Sequence, residues 1–239
     1  MRVLVTRSAG DAERTAQRLT ALGHAACLAP VTRIVPTGDP APDAPHDALI
    51  VTSAHAADAL AGLDRHKPVF AVGARTADAV RAQGFAHVAV AEGDAVSLSL
   101  SRLIRGSLPA GLVLLHVTGR HHKEEPAASL RAAGFAVLQW EAYEAKAVET
   151  WPEAAVEALR TGQIGAALHY SRRSADLVIR LAGEAGLASN LRAFPHLCLS
   201  ADVAAPLTAA GAATLVAEDP SEDALLRLLD PSMGPVAAS

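Results

Sequence analysis

MRVLVTRSAGDAERTAQRLTALGHAACLAP (residues 1–30) and LVLLHVTGRHHKEEPAASLRAAGFAVLQWE (residues 112–141) follow one plan written twice. Each opens on a short apolar run, turns through a hydroxyl and an arginine, and continues with helical spacing. Each then meets a glycine and a second apolar run. In the first copy Val3–Thr6 predicts a strand. Ala12, Ala16, Leu19 and Leu22 predict a helix over Ala12–Leu22. Gly23 supplies its stop, and AACLAP the next strand.

Two further matches keep the same order. LIVTSAHAADAL (49–60) resembles ALHYSRRSADLVIRL (167–181). VFAVGARTADAVRAQGFAHVAVAEGDAVSLSLSRL (69–103) resembles LCLSADVAAPLTAAGAATLVAEDPSEDALLRLL (197–229). The chain therefore reads as two related halves, about 1–110 and 111–230. Strands are expected at Ala48–Val51, Val69–Val72, His87–Ala91, Leu112–Val117, Ala136–Trp140, Ala166–Tyr170, Leu197–Ser200 and Ala213–Ala217. Helices are expected at Ala54–Leu63, Thr76–Gln83, Val96–Ile104, Glu125–Ala133, Ala154–Thr161, Ser174–Ala185, Val203–Ala210 and Ser221–Leu229. Such alternation predicts an α/β fold, two similar domains with parallel sheets flanked by helices. Two such domains imply a cleft between them, a common place for a small-molecule site. Pro36–Pro45 is too proline-rich for a helix or strand interior and reads as a loop or linker. The tail after Asp230 reads as frayed.

Composition narrows the function. The net charge is −4 with histidine neutral, which gives no footprint for nucleic acid. Cys27 and Cys198 lie in apolar runs without metal-ligand spacing, so they read as buried thiols and no metal is expected. The first residues lack a signal-peptide pattern, and no apolar run approaches the ~20 residues that span a bilayer. A cytoplasmic protein with no membrane partner is expected. No GxGxxG follows the first strand, and neither a phosphate-binding GxxxxGK[ST] nor a GxSxG elbow occurs. His121-His122 lacks companion ligands, and Glu124-Glu125 reads as a helix N-terminal charge pair.

In open parallel sheets, ligands meet the loops beyond the carboxyl ends of the strands. Those loops lead into helix N-termini, whose N–H groups attract anions. Here they carry Thr6-Arg7-Ser8, Thr52-Ser53-Ala54-His55, Gly73-Ala74-Arg75-Thr76, Thr118-Gly119-Arg120 through Lys123, Ser171-Arg172-Arg173-Ser174 and Ser200-Ala201-Asp202. Six of the 21 lysines and arginines fall there. An anionic ligand accounts for this enrichment. N-capping hydroxyls on an ordinary solvated surface account for it equally. Tyr143, one of two tyrosines, sits at a junction where it could line a cleft or simply pack as an amphipathic aromatic.

The same segments resemble the uroporphyrinogen-III synthase family. The resemblance is carried in order by VLVTR, IVTSAHAADAL, VFAVGARTADAVRAQGF, the Gly119 turn with Leu130-x-x-x-Gly134-Phe135-x-Val137, EAYEA around Tyr143, and VAEDPSEDALLRLL. It implies a discontinuous first domain of 1–31 plus 149–239 and a second of 46–137. Segments 32–45 and 138–148 would form a two-stranded linker. The implied substrate is hydroxymethylbilane, a linear tetrapyrrole with eight carboxylates. Its ring A hydroxyl leaves as water, giving an azafulvene cation. Ring D attacks through its substituted carbon, and a spiro intermediate then fragments and recombines with ring D inverted. No cofactor is implied. A monomer is, with transient handover from hydroxymethylbilane synthase.

By the same resemblance Tyr143 assists loss of the hydroxyl. The resemblance assigns Ser53, Thr76 and Ser171 to positioning of substrate carboxylates or of the backbone loops, and Arg7 and Arg120, taken from the junction cations, complete the expected binding set. The second G-x-x-TA-like turn departs from the family pattern. It reads Ser200-Ala201-Asp202-Val203-Ala204, with serine for the glycine, valine for the threonine, and an added negative charge. A second reading therefore stays open here: a non-catalytic synthase-like domain that binds a tetrapyrrole or another anionic small molecule.

Overall fold

The computed structural model describes residues 1–91 and 96–230. Eleven strands are described: β1 (Arg2–Val5), β2 (Ala25–Leu28), β3 (Thr32–Pro36), β4 (Ala48–Val51), β5 (Val69–Val72), β6 (Val88–Ala91), β7 (Val113–Gly119), β8 (Ala136–Ala147), β9 (Ala166–His169), β10 (His196–Cys198) and β11 (Thr214–Val216). The helices are α1 (Ala9–Ala21), α2 (Gly73–Ala82), α3 (Val96–Ser107), α4 (Ala127–Ala132), α5 (Glu153–Arg160), α6 (Arg172–Glu184), α7 (Ala201–Ala209) and α8 (Glu222–Arg227). Ala54–Gly62 is a 3-10 helix rather than the expected α-helix. Ala57 lies three residues and Ala56 four before Leu60, and all three are buried, so the spacing fits a three-residue turn as well as a four-residue one.

The chain divides into two compact units, Met1–Arg33 with Lys146–Ser239, and Ile34–Ala145. The first holds a five-stranded sheet of order β11-β10-β9-β1-β2. The second sheet runs β3-β8-β7-β4-β5-β6. Aligned by the sequence repeat, β7 and β8 take the places of β1 and β2, and β4 to β6 those of β9 to β11. The opening βαβ segment of each half thus joins the remainder of the other half. The pairs of the five-stranded sheet are parallel, as are those linking β4 through β8 in the other. The two remaining segments behave otherwise. Thr37 N donates to Ala142 O and Val148 N to Val31 O, so numbers fall along β8 as they rise along β3, an antiparallel pair. The strand expected to stop at Trp140 and the linker strand expected after it are a single strand, β8.

Side chains alternate between two covered faces, which explains why Val3–Val5 of β1 and all of β4 are apolar. In the first unit Leu4 packs with Ala155, Leu159, Val178 and Leu181 of α5 and α6. Its neighbours Val3 and Val5 face Ala12 and Leu19 of α1 and Leu225 of α8. In the second unit Leu49 and Val51 meet Leu60 and Val80, while Ala48 and Ile50 meet Leu100, Ile104 and Leu130. Each fully buried leucine or isoleucine contributes about 1.5–3 kcal/mol. These layers hold rigid the strand ends from which the junction loops spring.

Candidate functional site

In the second unit the informative corner lies where β7 ends. β7 and β8 keep one register from Val113–Ala136 to Thr118–Glu141, and then Gly119 pairs with Tyr143. Ala142 is the extra residue of a β-bulge, a device that bends a strand and re-aims a side chain. Arg120 N donates to Tyr143 O at 2.9 Å and closes the corner. The Tyr143 ring lies over Gly119, its centroid 6.0 Å from that of His55. Tyr143, His55, Trp140, Asp39 and Asp58 line one cleft of about 380 Å³. The Pro-rich loop forms part of its wall. Trp140 Nε1 donates to Asp39 O at 3.0 Å, and Thr37 Oγ1 donates to Glu141 O at 2.6 Å.

Two histidines stand behind this corner. His122 Nδ1 bonds Gly119 O at 2.9 Å, and Gln139 Nε2 bonds His122 Nε2 at 3.1 Å. A carbonyl only accepts and an amide N–H only donates, so His122 carries its proton on Nδ1. Gln139 Oε1 accepts from Arg131 at 2.9 Å. His116 is buried, with Nε2 3.4 Å from Thr52 Oγ1 and no partner for Nδ1. Burial above all, with the neighbouring Arg131 guanidinium adding to it, lowers its pKa to about 4.

Of the residues expected to bind substrate, Arg120 lies in this unit and is already surrounded by carboxylates. It meets Glu141 and Glu144 at 3.4 and 3.3 Å and Asp39 at 3.3 Å. Ser53 caps the 3-10 helix, accepting from His55 N at 3.3 Å. Thr76 is buried on α2. That helix starts from Gly73 at φ 72°, left-handed backbone that favours glycine.

The first unit holds Arg7 and Ser171. Arg7 donates to Glu222 at 3.1 Å, reaches Asp11 at 3.5 Å and lies 4.1 Å over the Tyr170 ring. Glu222 Oε1 also accepts from Tyr170 OH and Thr15 Oγ1, each at 2.7 Å, and Oε2 from Arg18 at 2.9 Å. Burial pushes the Glu222 carboxyl up, but Tyr170, Thr15 and the nearby guanidiniums outweigh it and hold the group below its usual value. Burial raises the Tyr170 phenol. Ser171 caps α6 through Ser174 N at 3.1 Å. Ser200 is extended, at φ −159°, where its counterpart Gly73 is left-handed. The charge of Asp202 is met by Arg172 at 2.9 Å. Val203 is 4% exposed and packs with Ala175, Cys198 and Leu207. Its repeat counterpart, Thr76, is 5% exposed. Valine and threonine share a shape, so the departure at 203 keeps the packing and removes a hydroxyl.

The structure thus brings Tyr143 together with His55, and through the corner with Arg120. Within the first unit Arg7 and Tyr170 meet one carboxylate. Among the described residues no group of three or more His, Cys, Asp or Glu could hold a metal ion. No described helix is long and apolar enough to cross a membrane.

The family model described as "Uroporphyrinogen-III synthase HemD" matches residues 13–227. The chain belongs to the uroporphyrinogen-III synthase family. A search of curated proteins gives no match. Among solved structures, uroporphyrinogen-III synthetase from Helicobacter pylori aligns over 96% of this chain and 98% of its own. Its identity is 17% and its TM-score 0.64, a likeness of fold. A mutant uroporphyrinogen III synthase from the extreme thermophile Thermus thermophilus is 20% identical over 96% of each chain, with a TM-score of 0.49. The α/β architecture with parallel sheets is that of the family. His55 lies in a junction legible from sequence, but without a role there. Asp39 sits in a loop readable only as a linker until Trp140 is seen to hold it.

Proposed function

We propose that the chain performs the reaction of its family, a cyclising lyase step on hydroxymethylbilane that yields uroporphyrinogen III. The match over residues 13–227 carries this reading. Tyr143 donates its phenolic proton to the hydroxyl leaving ring A. The C–O bond breaks, water departs, and the azafulvene cation forms. The cleft supports that role, since Asp39 and Asp58 line it beside Tyr143. Carboxylates there favour a charge that develops as positive. Ser53, Thr76, Ser171, Arg7 and Arg120 mark the helix N-termini and loops that receive the substrate's own carboxylates. The reaction takes place in the cytoplasm, in a monomer supplied by hydroxymethylbilane synthase.

The test supplies fresh hydroxymethylbilane and separates the porphyrin isomers after oxidation. Unassisted closure gives isomer I, so predominant isomer III establishes the activity. Isomer I at the uncatalysed rate from folded protein would instead favour a binding module. Tyr143→Phe is expected to lower kcat about a hundredfold, the low end of what a positioned proton donor contributes. Unchanged turnover would remove Tyr143 from the chemistry.

Asp202→Asn addresses the altered turn. The Arg172–Asp202 pair is exposed, 56% and 68% at the side chains, so solvent screens it and its loss should leave stability nearly unchanged. Releasing Arg172 beside incoming carboxylates is expected to lower KM by roughly twofold or more with kcat held. An unchanged KM would show that this loop does not face substrate.

A further inference from the structure

We propose that Gly119 is a positioning residue whose missing side chain sets the place of the Tyr143 ring. A Cβ built on Gly119 would lie 2.8 Å from both Cε2 and Cζ of Tyr143 and 3.2 Å from its hydroxyl. Unstrained carbon contacts begin nearer ~3.5 Å. The three nearest atoms all belong to that ring. Only glycine leaves the phenol the space that a Cβ would occupy here. The reason is close approach, and the bulge at Ala142 brings the two together.

The turn under the ring is braced from behind. Arg131 holds Gln139, Gln139 holds His122, and His122 Nδ1–H holds Gly119 O. Arg120 N fixes the far side through Tyr143 O. The phenol therefore meets a backbone that is itself pinned on two sides. The ring is the part that yields when a methyl group is added, and its displacement moves the hydroxyl. This inference rests on the reading of Tyr143 as the proton donor, but the placement of the ring can be measured without it.

The chain has two tyrosines, so protein carrying isotope-labelled tyrosine rings gives one signal set for each, assigned with Tyr143→Phe. In Gly119→Ala the Tyr143 signal is expected to shift while that of Tyr170 stays. The kcat for isomer III should fall roughly tenfold or more, with KM changed much less. In a Tyr143→Phe background the same alanine should cost less than about twofold, because no donor remains to misplace. An unmoved Tyr143 signal, or equal losses in both backgrounds, would overturn the proposal. If Tyr143→Phe keeps full turnover, the reading of Tyr143 fails by itself and the ring signal alone decides the positioning. If Gly119→Ala does not fold, adding Tyr143→Ala removes the obstructing ring and should restore folding. Failure to restore it also overturns the proposal.

Discussion

Acidification from about pH 6.5 to pH 4 is expected to remove roughly 3 kcal/mol of stability through His116 alone. Its folded pKa is about 4, against about 6.5 in the unfolded chain. Above the unfolded value both states are neutral and stability is full. Below it the unfolded chain takes up a proton that the folded chain refuses. The loss grows until the folded group also titrates near 4. Burial lowers His169 and His196 as well, and their geometry shows why protonation is resisted. His196 Nε2 meets Leu191 O at 2.7 Å, so it must donate, and Nδ1 is left to accept from His169 Nε2 at 2.8 Å. A proton on His196 Nδ1 would face that donor. A proton on His169 Nδ1 would have no acceptor. Urea unfolding at pH 7.5, 6 and 5 should show a falling midpoint. His116→Leu should flatten the response of the second unit and leave that of the first. A midpoint independent of pH across this range would show that the imidazoles are hydrated when folded.

The second large effect is expected at Glu222. Glu222→Ala should cost about 2–3 kcal/mol, because it strands two hydroxyls and two guanidiniums that now share one carboxylate. The Glu222 side chain is 21% exposed, which places the loss below that of a fully buried ion pair. Glu222→Gln keeps an acceptor for Tyr170 and Thr15 and loses the charge, so about half the effect is expected. The carboxyl is held below its usual value. Its contribution is therefore complete above the unfolded pKa, about 4.3, and fades as pH falls through the folded one. Helix α8 depends on this anchor and on buried Ala224, Leu225 and Leu226. Protease cleavage near residues 217–222 should rise with the loss of stability. An alanine variant as stable as the parent would mean that solvent replaces Glu222 without cost.

Much of the fold could be read from the spacing of apolar residues. Val3 to Val5 and Ala48 to Val51 carry no polar residue because both faces of a parallel strand are covered, and that pattern survives in one dimension. The 3-10 geometry of Ala54–Gly62 was not legible. Its apolar residues satisfy three-residue and four-residue turns alike, and packing against β4 and α2 decides. At the site, the junction cations are legible from sequence, and their partners within the protein are not. The structure gives Arg7 to Glu222, 215 residues away, and Arg120 to Asp39, 81 residues away. Such partners are set by topology, which a list of cations does not contain. The bulge that turns Tyr143 over Gly119 had no local signature either, since Glu141-Ala142-Tyr143 alternates like any strand.

The interrupted first unit has a consequence for biosynthesis. Its strand β1 lies between β2 and β9, and β9 begins at residue 166. All of 34–145 leaves the ribosome before β1 can find its second neighbour. At about 5–20 residues per second, the opening βαβ segment waits roughly ten seconds or more with one edge of β1 unpaired. The middle of the chain is free to fold during that interval. The opening segment is where a nascent-chain chaperone would be needed most.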